Sequence, residues 1–299
     1  MTPEPEPVPP IPALPLRSGG EIPQVGLGVW QIPSGGPARE AVAAALRLGV
    51  RHVDTARIYG NEADVGAAVR ASGVPRAEVF VTTKLWNDDH GYDRALRAFD
   101  ASARQLGLEY VDLYLIHWPV PGERRETWRA LERLRAEGRA RAIGVSNYLR
   151  PHLEELLAHA SAPPDVNQIE VTPFLQRRDA RALCAAEGIV VEAYSPLTRG
   201  ERLAHPVVVE VARRAGRTPA QVLLRWGVQG GLVVLPKSRH PARIAENARI
   251  FDFELDREPW SGSTGSRRTS RPGGIPPRRR SSRRWARRPL RRSGRLRRD

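Results

Sequence analysis

Four side chains that can carry or transfer a proton follow three consecutive strand-like runs. Asp54 ends the second such run of the chain, Tyr59 follows in the next loop, Lys84 ends the third run and His117 ends the fourth. A nearby ammonium favours a phenolate and lowers the pKa of a tyrosine, and a carboxylate fixes the lysine. With a neutral imidazole to orient a carbonyl oxygen, the four groups would act as a general acid that protonates a forming alkoxide. Such a reaction requires a separate source of hydride.

Lysine is rare in this chain, which has 46 Arg and only 2 Lys, so the position of each lysine is informative. Lys84 is one, and Lys237 ends the eighth strand-like run. Ser238, Arg239 and Arg243 follow it at the start of a helical pattern. Cations and a hydroxyl at a helix N-terminus are typical of a phosphate site. A solvated helix face is the alternative for Arg239 taken alone.

Eight short runs, apolar on both faces, alternate with longer amphipathic segments. The runs are Val25–Trp30, His52–Thr55, Val79–Lys84, Val111–His117, Ala140–Ser146, Val166–Val171, Ile189–Ser195 and Leu232–Pro236. Such runs are typical of buried parallel strands. Helical patterns include Ala38–Leu48, Tyr92–Leu106, Glu126–Glu137 and Pro219–Val228. The alternation predicts an α/β fold, a (β/α)8 TIM barrel, which builds its active site at the C-terminal ends of the strands.

A doubly wound Rossmann sheet is the alternative to the barrel. Its glycine fingerprint opens the first helix. The nearest candidate, Gly26-Leu27-Gly28, lacks the third glycine and the helix start. The barrel is therefore the better prediction. Residues 11–23, with a turn at Ser18-Gly19-Gly20, predict an N-terminal β-hairpin that caps one end of it.

The net charge of +15 suggests nucleic-acid binding until its distribution is examined. Residues 261–299 carry +14 and the other 260 residues only +1.

Cys184 is the only cysteine, which excludes a disulfide framework and a Cys-based zinc site within one chain. The acidic, Pro-rich start is unlike a secretory signal, and no apolar run is long enough to span a membrane. We expect a cytoplasmic protein with no membrane association and no metal site.

Four segments resemble the aldo-keto reductases, and the resemblance covers roughly residues 20–255. They are GVRHVDTARIYGNE at 49–62, LYLIHWP at 113–119, GVSN at 144–147 and LPKS at 235–238, continuing to Asn247. Among relatives, the chain looks most like bacterial 2,5-diketogluconate-reductase-type enzymes. The resemblance implies NADPH-dependent reduction of an aldehyde or ketone to an alcohol. It makes Asp54, Tyr59, Lys84 and His117 the catalytic tetrad, with Tyr59 as the acid.

The resemblance also implies a cofactor site. Ser146, Asn147 and Gln168 would bind the nicotinamide carboxamide, Tyr194 would stack on the ring, and Ser195 and Leu197 would lie near the pyrophosphate. Lys237, Ser238 and Arg243 would bind the 2′-phosphate of NADP, and Glu246 and Asn247 the adenine. NAD would leave those cations unpaired, so NADP(H) is the predicted cofactor. Trp30, Trp86 and Trp118, with His117, are predicted to form an aromatic pocket for a small-molecule carbonyl substrate.

Two other functions stay open. A Schiff-base aldolase on the same barrel would use Lys84 as its nucleophile. It would leave the phosphate cluster after the eighth run without a role. A nucleic-acid-binding protein would act through the basic tail, with strong salt dependence.

The chain divides into three parts. Residues 1–10 are predicted to be a Pro-rich disordered N-terminus, 11–256 the barrel, and 257–299 an Arg-rich disordered tail. The abrupt change of composition favours a frameshift near Asp256–Pro259 in a GC-rich gene, with a genuine basic arm as the alternative. Nucleic acid is an expected partner only if the tail is genuine. A monomer is expected, and the carbonyl substrate cannot be named from the sequence.

Overall fold

A computed structural model describes residues 6–256 of the chain. Eight parallel strands form one sheet, in which neighbours along the chain are also neighbours in space. They are β3 Gly26–Gly28, β4 His52–Asp54, β5 Phe80–Leu85, β6 Val111–Ile116, β7 Ala140–Ser146, β8 Val166–Glu170, β9 Val190–Tyr194 and β10 Val233–Leu235. Each overlaps one of the predicted runs, and only β5 extends past its run, by the single residue Leu85. The predicted (β/α)8 barrel is confirmed.

The barrel closes where β10 meets β3. Val25 and Val234 form a parallel bridge. The amide of Val234 donates to Gln24 O at 2.8 Å, and the amide of Gly28 donates to Pro236 O at 3.2 Å. These bonds join the first barrel strand to the last, so their carboxyl ends reach the same opening as those of the other six.

Helices cover the outside of the strands. In residues 6–256 they are α1 Gly36–Arg47, α2 Glu62–Ala71, α3 Tyr92–Leu106, α4 Arg124–Ala136, α5 Arg150–Leu157, α6 Arg178–Ala186, α7 Pro206–Ala215, α8 Pro219–Gln229 and α9 Pro241–Ala248. A capping box begins α8: Thr218 Oγ1 accepts from the amide of Gln221, and Gln221 Oε1 accepts from the amide of Thr218. Gly107 ends α3 at a φ of +61°, which suits glycine.

The predicted hairpin consists of β1 Ala13–Pro15 and β2 Glu21–Pro23, paired antiparallel. Its Ile22 is fully buried against side chains that fill the lower interior of the barrel. We call this cluster the apolar base; its members are Ile22, Phe80, Leu113, Leu115, Val166 and Val233. The hairpin thus closes the N-terminal end of the barrel with apolar packing.

The segment 6–10, within the predicted disordered N-terminus, packs on the barrel instead. Val8 is buried and its amide donates to Leu48 O at 2.7 Å, while Arg249 Nη2 donates to Glu6 O at 2.9 Å. The apolar side chain and the main-chain bonds outweigh the tendency of the flanking prolines to stay extended in solvent. The predictions for residues 257–299 lie outside the described residues.

No helix within residues 6–256 has the length and apolar character needed to cross a membrane. The same part of the chain contains no group of three or more His, Cys, Asp or Glu side chains placed to hold a metal ion.

Candidate active site

Lys84 is the centre of the site and is fully buried inside the barrel. Its Nζ donates to Asp54 Oδ1 at 2.6 Å, to Thr55 O at 2.9 Å and to the hydroxyl of Tyr59 at 3.4 Å. Asp54 is level with Thr82 in the register of β4 and β5, so Lys84 projects from the same face of β5 two residues further along. The strand alternation therefore places the ammonium between the carboxylate and the phenol.

The pKa of Tyr59 differs from the sequence-based expectation. Burial raises it above the ordinary value, and the opposing effect of the Lys84 ammonium is smaller. Asp54, which is close to the same lysine, raises it further. The expected net lowering is therefore wrong, because the sequence does not reveal how fully the phenol is removed from water. At neutral pH Tyr59 carries its proton, as a proton donor must.

Lys84 and His117 have opposite charge states. Burial by itself lowers the pKa of Lys84, but Asp54 and Tyr59 together raise it above its usual value. Burial, and then the charge of Lys84, lower the pKa of His117 well below the ordinary imidazole value. The site thus holds an ammonium and a neutral imidazole, as the four-residue pattern predicted.

Two of the three predicted pocket tryptophans contact His117. The Trp86 ring lies edge-on with centroids 5.2 Å apart, and the Trp118 ring lies nearly parallel at 6.5 Å. Tyr59 is also edge-on to His117, at 5.8 Å. Trp30 is 42% exposed and lies under the guanidinium of Arg199 at 5.4 Å. The rings of Tyr59, Trp86 and Trp118 therefore form an aromatic wall next to the His117 imidazole.

The ends of β7, β8 and β9 bring together the residues expected to bind a carboxamide. Asn147 Nδ2 donates to His117 O at 2.9 Å, and Asn147 Oδ1 accepts from the hydroxyl of Tyr194 at 2.9 Å. Ser146 Oγ donates to Gln168 O at 2.9 Å. Asn147 has a φ of +63°, a conformation that Asn tolerates better than most residues. Hydrogen bonds thus join the four residues along one edge of the opening, with Gln168 contributing its main-chain carbonyl.

Two interior residues of the site were not predicted. Glu192 is fully buried; its Oε2 accepts from Gln168 Nε2 at 2.5 Å, and its Oε1 lies 3.4 Å from Nε2 of buried His52. Gln168 Nε2 also donates to Asp54 Oδ2 at 2.8 Å. We call the set of Lys84, Asp54, Gln168, Glu192 and His52 the polar layer. The sequence did offer a signal for Glu192, since a carboxylate interrupts the apolar run Val190–Tyr194. Glu192 is two residues before Tyr194 and therefore lies on the same face of the strand.

The predicted phosphate cluster lies where β10 leads into α9. Lys237, Arg239 and Arg243 are exposed, and none has an acidic partner within residues 6–256. Ser238 is buried, and its Oγ accepts from the amide of His240 at 3.1 Å, just before the helix begins. Unpaired cations at a helix N-terminus are suited to an anion.

Glu246 and Asn247 lie on α9 beyond the cluster. Glu246 Oε1 accepts from Thr218 Oγ1 at 2.6 Å, and Asn247 is buried. A carboxylate anchored on α8 in this way is held in place, and its second oxygen is available to a ligand.

The loop after β9 is conformationally unusual. Ser195, Thr198 and Arg199 all have φ between +49° and +54°, which is uncommon for residues other than glycine. Leu197 lies among them and is half-buried against the core. Several such residues in one loop at the mouth of a site are a form of local strain that often accompanies ligand binding.

Comparison with known proteins agrees with this architecture. The Aldo/keto reductase family model matches residues 24–264. An aldo-keto reductase of Mycolicibacterium smegmatis is 52% identical over 246 residues, covering 82% of this chain and 89% of the relative. A glyoxal reductase of Bacillus subtilis is 49% identical over 243 residues, covering 81% of this chain and 88% of the relative.

A solved structure provides the same comparison in three dimensions. The crystal structure of a Gox0644 mutant in complex with NADPH superposes with a TM-score of 0.79 and 43% sequence identity. The match covers 85% of this chain and 93% of that one. Fold, site and sequence lead to one conclusion: the chain belongs to the aldo/keto reductase family.

Proposed function

We propose that the protein is an NADPH-dependent oxidoreductase that reduces an aldehyde or ketone to an alcohol, with Tyr59 as the general acid. The observation that carries the proposal is the buried Lys84–Asp54 pair, whose ammonium lies 3.4 Å from the Tyr59 hydroxyl beside neutral His117. The family and the NADPH complex of a similar structure support the same reaction class.

The described residues fit a phosphorylated dinucleotide at both of its ends. Near the tetrad, Gln168 Oε1 accepts no hydrogen bond within residues 6–256 and is available to a carboxamide. At the other end, Lys237, Ser238 and Arg243 would bind the 2′-phosphate, and Glu246 and Asn247 the adenine. NADPH supplies a hydride when bound.

Tyr59 gives its proton to the carbonyl oxygen as negative charge develops there. Lys84 then stabilises the tyrosinate, and Asp54 keeps the lysine charged and in place. His117 is neutral, so an imidazole N–H can donate to the carbonyl oxygen and orient it without adding a charge. The tryptophans beside it would exclude water and contact the apolar part of the substrate.

The aldolase alternative is disfavoured by the state of Lys84. A Schiff-base lysine needs a neutral amine, which requires a lowered pKa. Here the neighbouring Asp54 and Tyr59 raise the pKa of Lys84 despite its burial. The ammonium is also occupied by three hydrogen bonds.

We propose that the substrate is a small aldehyde or ketone. A similar protein is a glyoxal reductase, and aromatic rings line the site beside His117. We further propose a cytoplasmic monomer without a membrane or metal requirement. Size-exclusion chromatography with light scattering checks the monomer, for which a mass near 33.2 kDa is expected.

The function is tested with Tyr59→Phe, assayed on a panel of aldehydes and ketones with NADPH and with NADH. We expect the variant to lose at least about a hundredfold in kcat, because proton transfer contributes about 10²–10⁴-fold. Its binding of NADPH, followed by fluorescence titration, should match that of the wild type. Unchanged turnover in the variant, or tighter binding of NADH than NADPH by the wild type, would contradict the proposal.

A further inference from the structure

A buried carboxyl group lies beside the catalytic cluster and has no part in the proton step proposed above. Glu192 projects from the middle of β9, and its Oε2 accepts from Gln168 Nε2 at 2.5 Å. The same nitrogen donates to Asp54 Oδ2 at 2.8 Å. A side-chain amide has two N–H donors. Glu192 and Asp54 therefore use both of them.

The consequence falls on the other end of the amide. With its nitrogen saturated, Gln168 has only Oε1 left to offer a ligand, and that atom can only accept. It accepts nothing within residues 6–256, and it is not among their buried atoms that lack a partner. A carboxamide ligand offers an NH₂ group, which complements such an acceptor.

Glu192 performs this task in its neutral form. Burial, and then the negative charge of Asp54, raise its pKa to about 8. Its Oε1 has no hydrogen-bond partner in the described residues and faces His52 Nε2 at 3.4 Å, and burial lowers the pKa of that imidazole to about 3. A carboxylic O–H directed at a neutral imidazole is favourable, whereas a carboxylate would leave a buried charge unpaired.

The room for this arrangement comes from Gly26. A Cβ at that position would lie 2.8 Å from Cγ of His52. Because Gly26 on β3 has no side chain, the His52 imidazole can occupy this part of the barrel interior. There, the Nε2 of His52 lies 3.2 Å from Thr82 Oγ1.

We propose that Glu192 is a positioning residue for the cofactor, which together with Asp54 holds the Gln168 amide so that its carbonyl faces the nicotinamide carboxamide. The inference rests on the proposed function. The titratable groups that face Glu192 are His52 and Asp54 on β4, with Lys84 on β5 and Tyr59 beyond Asp54. Ionisation of Glu192 places a second negative charge beside Asp54 and raises the pKa of Tyr59.

The first test compares Glu192→Gln and Glu192→Leu with the wild type in calorimetric binding at pH 7. The ligands are NADPH and 2′-phospho-ADP-ribose, which lacks nicotinamide. Glu192→Gln keeps a carbonyl acceptor for Gln168, so its NADPH affinity should stay within about twofold. Glu192→Leu removes one hydrogen bond and should weaken NADPH binding about threefold to tenfold, without changing the affinity for the fragment. Equal weakening for both ligands would mean a structural role and overturn the inference.

The second test measures the pH profile of kcat/KM for alcohol oxidation, which requires the tyrosinate. Glu192→Gln cannot ionise, so the apparent pKa for the tyrosine should be lower than in the wild type. The matched control is Asp165→Asn, a fully buried carboxyl group bonded to the amides of Ser18 and Ile143 outside the polar layer, and its profile should equal the wild type's. An unchanged profile in Glu192→Gln would contradict the inference, even if Glu192→Leu fails to fold. Failure of the wild type to bind NADPH would instead overturn the proposed function.

Discussion

The polar layer and the apolar base share strands β5 and β8 and differ in what holds them together. Along β5 the inward side chains change from Phe80 in the base, through Thr82, to Lys84 in the layer. On β8 they change from Val166 to Gln168. On β8 a single step of two residues, about 7 Å, separates the apolar side chain from the polar one. Apolar packing and charged groups therefore lie close together inside the same barrel, and Val233 of the base is level with Glu192 of the layer.

The largest effect expected from this comparison is that of Lys84→Met. The substitution leaves Asp54 buried without its cation, which costs about 3–5 kcal/mol of the free energy of unfolding. Turnover should also be lost. Urea unfolding followed by circular dichroism measures the first effect and an NADPH consumption assay the second.

The paired variant Asp54→Leu with Lys84→Met sharpens the point. Replacing both charges by apolar side chains removes the unpaired carboxylate, so most of the lost stability should return while turnover stays absent. A Lys84→Met protein as stable as the wild type would contradict this expectation, because it would show that Asp54 stays buried without its cation at no cost in stability.

In the apolar base, Ile22→Ala should lower the free energy of unfolding by about 2–4 kcal/mol, because it leaves a cavity under a fully buried side chain. Turnover per folded molecule should not change, since Ile22 contacts none of the tetrad. Val209→Ala on α7 is the control: Val209 is 46% exposed, and its loss should change neither quantity. A fall in kcat with Ile22→Ala would couple the two ends of the barrel.

The smallest effect concerns pH. His52 is buried and neutral with a pKa of about 3, so the unfolded chain binds more protons than the folded one between roughly pH 6.5 and 3. Stability therefore falls as pH falls through that range, by up to about 1.4 kcal/mol per pH unit for this group. In His52→Gln the fall should be shallower by that amount. Chemical unfolding at pH 6.5, 5.5 and 4.5 measures it, and parallel curves for the two proteins would contradict it.

The sequence was sufficient for the strands and for the clustering of Asp54, Tyr59, Lys84 and His117, whose catalytic roles stay predictions. Buried parallel strands are short apolar runs, and Asp54, Lys84 and His117 each end one, so local pattern and strand alternation were enough to place them at one mouth. The net pKa shift of Tyr59 was not predictable in this way, because it depends on burial by parts of the chain distant in sequence. Neither was the bond from Gln168 to Glu192, since alternation gives the face of a residue but not the partner across the barrel. The packing of Val8 on the barrel was not predicted, because the prolines on either side of it suggested a disordered N-terminus.

The bond between Gln168 and Asp54 joins residues 114 positions apart, and Glu192 lies further still along the chain. A chain that ends after His117 therefore contains the four residues proposed for catalysis, but neither Gln168 nor its second carboxyl partner Glu192. Non-local pairings of this kind form late, because the entropy of closing so long a loop must be overcome first. If Gln168 orients the nicotinamide as proposed, its amide takes up that position only when β8 and β9 have both joined the sheet.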